Sequence, residues 1–193
     1  MRLGPPAMND LAEAEKEIHE AKKALFEAYR NRPAEAVEDY VLSRLDGSAV
    51  RLSELFGDHD DLILIHNMGH ACDYCTMWAD GFDGLVSYIE TRAAFVVCSP
   101  DPPETQRRMV EERDWSFTMV SADGSSFIDD MGFASEDAYH PGVSSFYRGE
   151  DGTIRRIASR GFGPYDDYCS TWNFFGILRD GVDGWQPGAV NSP

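Results

Sequence analysis

An apolar run at residues 62–65 passes through His66-Asn67-Met68-Gly69-His70-Ala71 into Cys72-Asp73-Tyr74-Cys75, and this passage constrains the fold more than any other part of the chain. The run has no polar alternation, as expected of a strand covered on both faces. Beyond the cysteines, Trp78, Phe82, Leu85 and Ile89 fall at i, i+4, i+7 and i+11, which predicts a helix with one core-facing stripe, weakened locally by Gly81 and Gly84. The CxxC therefore sits where a strand hands over to a helix N-terminus.

That position favours thiol chemistry. Unpaired backbone N–H groups and the positive end of the helix dipole stabilise a thiolate, which is the attacking species. A second cysteine three positions on can reach the first and resolve a mixed disulfide. The expected roles are Cys72 as nucleophile and Cys75 as the more buried resolving thiol. Asp73 acts in the opposite direction, since a carboxylate beside Cys72 disfavours a second negative charge and predicts a mildly reducing pair. Of the other cysteines, Cys98 ends an apolar strand-like run and reads as a small buried hydrophobe, and Cys169 lies in an aromatic stretch. Four cysteines in 193 residues are too few and too unevenly spaced for a disulfide scaffold.

The same stretch offers a rival chemistry. His66, His70, Cys72 and Cys75 form HxxxHxCxxC, four side chains within ten residues that zinc accepts as ligands. Spacing alone leaves this alternative open, although a structural zinc site usually draws ligand pairs from two separated segments.

Elsewhere the patterning gives an α/β domain. Asp10 followed by Glu13 predicts a capped helix from residue 10 to Asn31, ahead of Pro33. Leu11, Ile18 and Leu25 recur on it every seven residues, interleaved with Ala14, Ala21 and Ala28, a narrow apolar face suited to its own domain or to a second copy in a homodimer. Asp46-Gly47 and Asp151-Gly152 predict hairpin turns. Buried strands are expected at 93–98 and 116–120, with a polar helix at 102–113 between them. An irregular stretch at 121–140 should be anchored by Phe127 and Met131, and a final helix should run over 165–178. Strand and helix in alternation point to a mainly parallel sheet with helices on its faces. The organisation read from this is a tail and helical arm at 1–35, one domain at 36–180, and a frayed Pro/Gly-rich tail at 181–193.

Charge narrows the partners. Seventeen basic against 34 acidic residues give a formal net charge of -17, which repels nucleic-acid backbones and anionic lipid surfaces. No apolar run is long enough for a membrane span, and the first residues have no signal-peptide pattern, so a cytoplasmic location is expected.

The run Cys72-Asp73-Tyr74-Cys75-Thr76-Met77-Trp78-Ala79-Asp80-Gly81-Phe82-Asp83-Gly84, with Trp115-Ser116-Phe117, 127–132 and Pro141-Gly142-Val143-Ser144-Ser145-Phe146 after it, resembles the bacterial thioredoxin-like proteins grouped as domain of unknown function 899. The resemblance covers about residues 35 to 178. It implies a thioredoxin-like α/β fold: a central mixed sheet flanked by helices, here with an N-terminal helical extension, related to the peroxiredoxin and thiol–disulfide reductase branch. It also implies a redox-active disulfide as the only prosthetic feature, and a protein or small-molecule disulfide and a reductant as partners. Asp73-Tyr74 departs from the proline and small residue usual between the cysteines of this family. By the same comparison, Pro141 matches the cis-proline that faces the active site, so Pro141, His140 before it and Tyr74 are the expected substrate contacts. His66 matches the position of a buried acid near the resolving cysteine, where an imidazole either takes the proton from Cys75 or is a hydrogen-bonded structural histidine. A peroxidase would carry Thr three residues before its cysteine. Gly69 stands there, and Arg160 is the one candidate cation for a peroxidatic thiolate. A non-catalytic adaptor binding through the Leu11/Ile18/Leu25 face is the remaining alternative.

Overall fold

The computed structural model describes residues 8–136 and 138–188. Contacts divide the chain into two compact units, residues 1–34 and 35–193.

Within the first unit, helix α1 spans Met8–Asn31. It starts before the expected cap, so Asp10 lies inside the first turn, where its charge complements the helix dipole. Ion pairs Lys16–Glu13 and Lys23–Glu20 lie one turn apart along its solvated surface. Such pairs contribute only about 0.2–0.5 kcal/mol each.

In the second unit the described strands form an eight-stranded sheet in the order β1-β10-β9-β4-β5-β6-β2-β3, with a separate two-stranded ladder of β7 (Ala134–Ser135) and β8 (Ala138–Tyr139). Its centre is parallel: β4 (Asp61–His66), β5 (Ala94–Ser99) and β6 (Thr118–Ser121) are joined by helical crossovers. The rest is antiparallel, which corrects the mainly parallel sheet expected from strand–helix alternation, because hairpins rather than helical crossovers build both edges. β9 (Gly142–Arg148) pairs with β4, and β10 (Ile154–Gly161) and β1 (Glu35–Val37) extend that edge. β2 (Val41–Arg44) and β3 (Ala49–Arg51) extend the other. Both hairpins turn where expected, with Gly47 at φ 83° and Gly152 at φ 77°, conformations that glycine adopts without a Cβ penalty.

Alternation along the central strands splits the core into two layers. Leu62, Leu64, Val96 and Cys98 face one side, with Phe56, Phe127 and Phe146, while Ile65, Phe95 and Val97 face the other, with Cys75, Trp78, Phe82 and Trp172. Complete burial of one large apolar side chain is worth roughly 1.5–3 kcal/mol, so each layer is a substantial anchor for the elements above it.

Three local expectations are corrected. The helix after the CxxC, α2 (Asp73–Asp83), stops at Gly84, and a short α3 (Val86–Ile89) follows. The break rotates Leu85 outward to 52% exposure, and Val86 takes its place in the core. The last helix is only Ser170–Gly176, because the Asp166 carboxylate accepts the N–H groups of Gly163, Tyr168 and Cys169 and holds a turn ahead of it. The described part of the C-terminal segment is packed: the Trp185 ring meets Phe175 at 4.8 Å and Trp172 at 5.9 Å. Residues 189–193 of the expected tail lie outside the described residues.

Candidate thiol site

β4 delivers the chain to the C-terminal edge of the sheet, the end at which open α/β sheets place their ligand crevices. Residues 67–72 then loop back, and Cys72 becomes the N-cap of α2. In that position its Sγ accepts the Cys75 backbone N–H at 3.1 Å. Cys72 is partly exposed, whereas Cys75 is buried at 2% exposure and its Sγ accepts the Met68 N–H at 3.4 Å. The structure thus makes the first cysteine the accessible one.

Electrostatics divide the pair in the same direction. A side-chain hydrogen bond from Cys75 is the largest influence on Cys72 and, with backbone N–H groups of Cys75 and Tyr74, lowers its pKa to about 7 against the opposing effects of burial and Asp73. The Cys75 thiol is pushed up, first by that same hydrogen bond and then by burial. One proton is shared in favour of Cys75, which leaves Cys72 as the thiolate near neutral pH. Cys98 lies in the opposite layer, fully buried, and burial raises it to about 12.

His66 does not join the pair. Its side chain points to the layer opposite Cys75, where it stacks on Phe133 at 3.8 Å between centroids and its Nε2 lies 2.9 Å from Ser144 Oγ. Burial, with a smaller contribution from Arg156, lowers its pKa to about 3, so it stays neutral at physiological pH. The expected proton transfer from Cys75 to His66 is corrected on both counts, and the structural-histidine alternative describes what is seen. The four proposed zinc ligands are likewise not one site. His66 is across the sheet, His70 is paired with Asp101, and among the described residues no group of three or more His, Cys, Asp and Glu is placed to hold a metal.

Pro141 does border Cys75, sharing a small hollow with Asn67, Trp78 and Phe162. Its peptide bond, however, is trans, correcting the cis assignment. The extended chain entering β9 turns its carbonyl toward the segment just after β10, where it accepts the Phe162 N–H at 2.8 Å. His140 is exposed and lies by the β7–β8 ladder, 3.2 Å from Ser135 Oγ. Tyr74 is half-buried, its ring 6.0 Å from Trp78 and 6.1 Å from Trp172. Arg160 pairs with Asp167 at 3.6 Å and stands over the Tyr168 ring. Beside the thiol pair, a cleft of about 560 Å³ opens between α2 (Asp73, Thr76, Met77) and the C-terminal segment (Tyr168, Cys169, Trp185).

The residue missed in the sequence is Asp101, 8% exposed, whose carboxylate holds the loop before Cys72 through His70. Its signal was an acid set between prolines just past a fully buried strand, where such a sheet exposes its crevice.

The model of a bacterial family described as protein of unknown function, DUF899, matches residues 6–184. The chain belongs to this family. No curated protein matches it. Among solved structures, this DUF899 protein is similar to the peroxidoxin BcpB of Mycobacterium tuberculosis, with 22% identity and a TM-score of 0.53 over 66% of this chain and 84% of that one. It is also similar to a peroxiredoxin Q structure from Xanthomonas campestris, with 14% identity and a TM-score of 0.55 over 64% and 80%. A peroxiredoxin-like protein from Aquifex aeolicus shares 14% identity with a TM-score of 0.52 over 66% and 74%. At these identities the likeness establishes the fold: the DUF899 chain is thioredoxin-like, a mixed sheet flanked by helices with an additional N-terminal helix. No helix of its described residues is long and apolar enough to cross a membrane.

Proposed function

We propose that this chain is a thiol–disulfide oxidoreductase in which Cys72 attacks and Cys75 resolves. The observation that carries the reading is the Cys72 sulfur at the N-cap of α2, receiving the Cys75 N–H at 3.1 Å beside a buried partner thiol. The Cys72 thiolate attacks one sulfur of a substrate disulfide; that S–S bond breaks and the departing thiolate takes up a proton. Cys75 then gives up its proton and attacks Cys72 Sγ, releasing the second substrate thiol and leaving a Cys72–Cys75 disulfide. A dithiol reductant restores the pair. Substrates are disulfides of proteins or small molecules, and Asp73 favours a mildly reducing poise by disfavouring extra negative charge at Cys72.

A dithiol-coupled disulfide reduction assay tests this. Cys72→Ser should abolish turnover, while Cys75→Ser should accumulate mixed disulfides on Cys72. Unchanged reduction by Cys72→Ser would show that the chemistry lies elsewhere.

A further inference from the structure

We propose that Asp101 is the positioning residue of the thiol pair: through two hydrogen bonds to His70 it fixes the turn of residues 69–72 that presents Cys72. The inference rests on the reading of Cys72 as the reactive thiol.

Asp101 lies in Ser99-Pro100-Asp101-Pro102-Pro103, between the end of β5 and α4 (Pro103–Arg113), where the prolines restrict the backbone on both sides. Hydrogen bonds restrict it further. Its carbonyl accepts the Ser121 hydroxyl at 2.6 Å, and its N–H donates to Ser99 Oγ at 3.3 Å. Ser99 Oγ also accepts from Gln106 Nε2 at 2.8 Å, and that amide donates to the Val120 carbonyl at 2.9 Å. Ser99, Gln106 and Ser121 are all fully buried. The carboxylate therefore stands on a polar floor built from β5, β6 and α4, a network in which every group constrains the next.

A buried carboxylate is costly unless donors meet it. Here one oxygen accepts the His70 backbone N–H at 2.7 Å and the Ser99 hydroxyl at 3.3 Å, and the other lies 2.8 Å from His70 Nδ1. The His70 ring itself is mostly in solvent, so the buried partner is the anchor and the exposed one the link. The turn is closed by Cys72 N–H to the Gly69 carbonyl at 3.2 Å. Gly69 N–H is held by Asn67 Oδ1 at 2.8 Å, and Asn67 N–H by the Cys98 carbonyl at 2.8 Å. Gly69 has φ +107°, and a Cβ there would lie 2.9 Å from Asp101 Oδ2, so the turn rests directly on the carboxylate. Met68, between the two anchored residues, supplies the N–H that meets Cys75 Sγ. Both sulfurs are thus registered to Asp101 by one short segment, and the alignment of Cys72 Sγ with the Cys75 N–H depends on it.

Iodoacetamide alkylation of the full chain across pH, read by mass on the peptide that carries Cys72, tests the role. In Asp101→Ala the turn loses both acceptors, so Cys72 should react about tenfold more slowly at pH 7, with its midpoint moving up toward the ordinary value of about 8.5. Asp101→Asn, whose amide oxygen can still accept the His70 N–H and whose NH₂ can donate to Nδ1, should react at about the wild-type rate, a rescue that a mere volume effect would not explain. Protection of Cys98 from the reagent reports that the variant is folded. If Asp101→Ala does not fold, His70→Ala decides: it keeps the backbone bond and loses the ring bond, and should slow Cys72 about threefold. A folded Asp101→Ala, or in its absence His70→Ala, with the wild-type Cys72 profile overturns the proposal. Alkylation needs no disulfide substrate, so a wild type that alkylates as expected yet reduces no disulfide would overturn the proposed function and leave the role of Asp101 standing.

Discussion

The two faces of the central sheet carry the same kinds of side chain and treat them oppositely. On one face Cys98 and His66 lie in a closed core, the thiol raised to about 12 and the imidazole lowered to about 3, so both are held neutral by burial. At the edge of the other face, Cys72 meets backbone N–H groups and a donating thiol and falls to about 7, and His70 meets a carboxylate in partial solvent. The residue types are equal. What differs is burial and partners: Cys72 accepts backbone N–H groups where Cys98 meets only the core, and His70 faces a carboxylate where His66 faces a hydroxyl and two aromatic rings. Among these cysteines reactivity is therefore set by position, and the favourable position is the N-cap of α2, which Cys72 holds and the buried Cys75 and Cys98 do not.

The largest expected effect of that contrast is kinetic. Near neutral pH Cys72 should label readily, whereas Cys98 should react on the order of 10⁴-fold more slowly, if at all, until the protein is unfolded. Comparable labelling of both in folded protein would break the comparison. Next, Gly142→Ala should destabilise the closed face by about 3 kcal/mol or more, since its Cβ would overlap Phe133 Cε1 and the Arg160 carbonyl. The midpoint in urea should fall, and an unchanged midpoint would mean that the Phe133–His66 stack is loose.

Acid should expose the same face more gradually. The folded state favours neutral His66, so unfolding takes up a proton. Stability from this group is complete above its ordinary value of 6.5 and is lost as pH falls toward 3, at about 1.4 kcal/mol per pH unit. Denaturant titrations between pH 7 and 4 should show that slope, and it should flatten in His66→Asn. A slope that survives the substitution assigns it to carboxylates instead. The smallest effect concerns α1, whose Leu11, Ile18 and Leu25 face suits its own domain or a second copy: Ile18, 56% exposed, changed to Glu should lower the sedimentation mass under the second-copy reading and leave it unchanged under the first, without altering Cys72 labelling.

Several elements were readable before any coordinates, each for a local reason. The strand, loop and helix around the CxxC follow from an apolar run and a 3.6-residue stripe, and the two Asp-Gly turns follow from the freedom of glycine. The stripe misled at Leu85, because a helix ending at Gly84 restarts its phase. The error at His66 has a similar origin: with both faces of β4 apolar, residues 62–65 give no parity, so nothing in the sequence says on which side the next residue falls. Asp101 carried a weak signal in its place between prolines, but its partner could not be read, since His70 is 31 residues away and meets it only across the parallel β4–β5 pairing.

The sequence alone determined the central strands and the helices between them, the two Asp-Gly hairpin turns, and the placement of two cysteines at a helix start, because propensity, periodicity and turn chemistry act over a few residues. Only the tertiary structure decided which layer His66 faces, that Pro141 stays trans beside Cys75, and that a carboxylate from the loop after β5 meets the loop before Cys72. Those are outcomes of pairing and packing between distant segments, where one residue of register or one turn of helix reverses the answer.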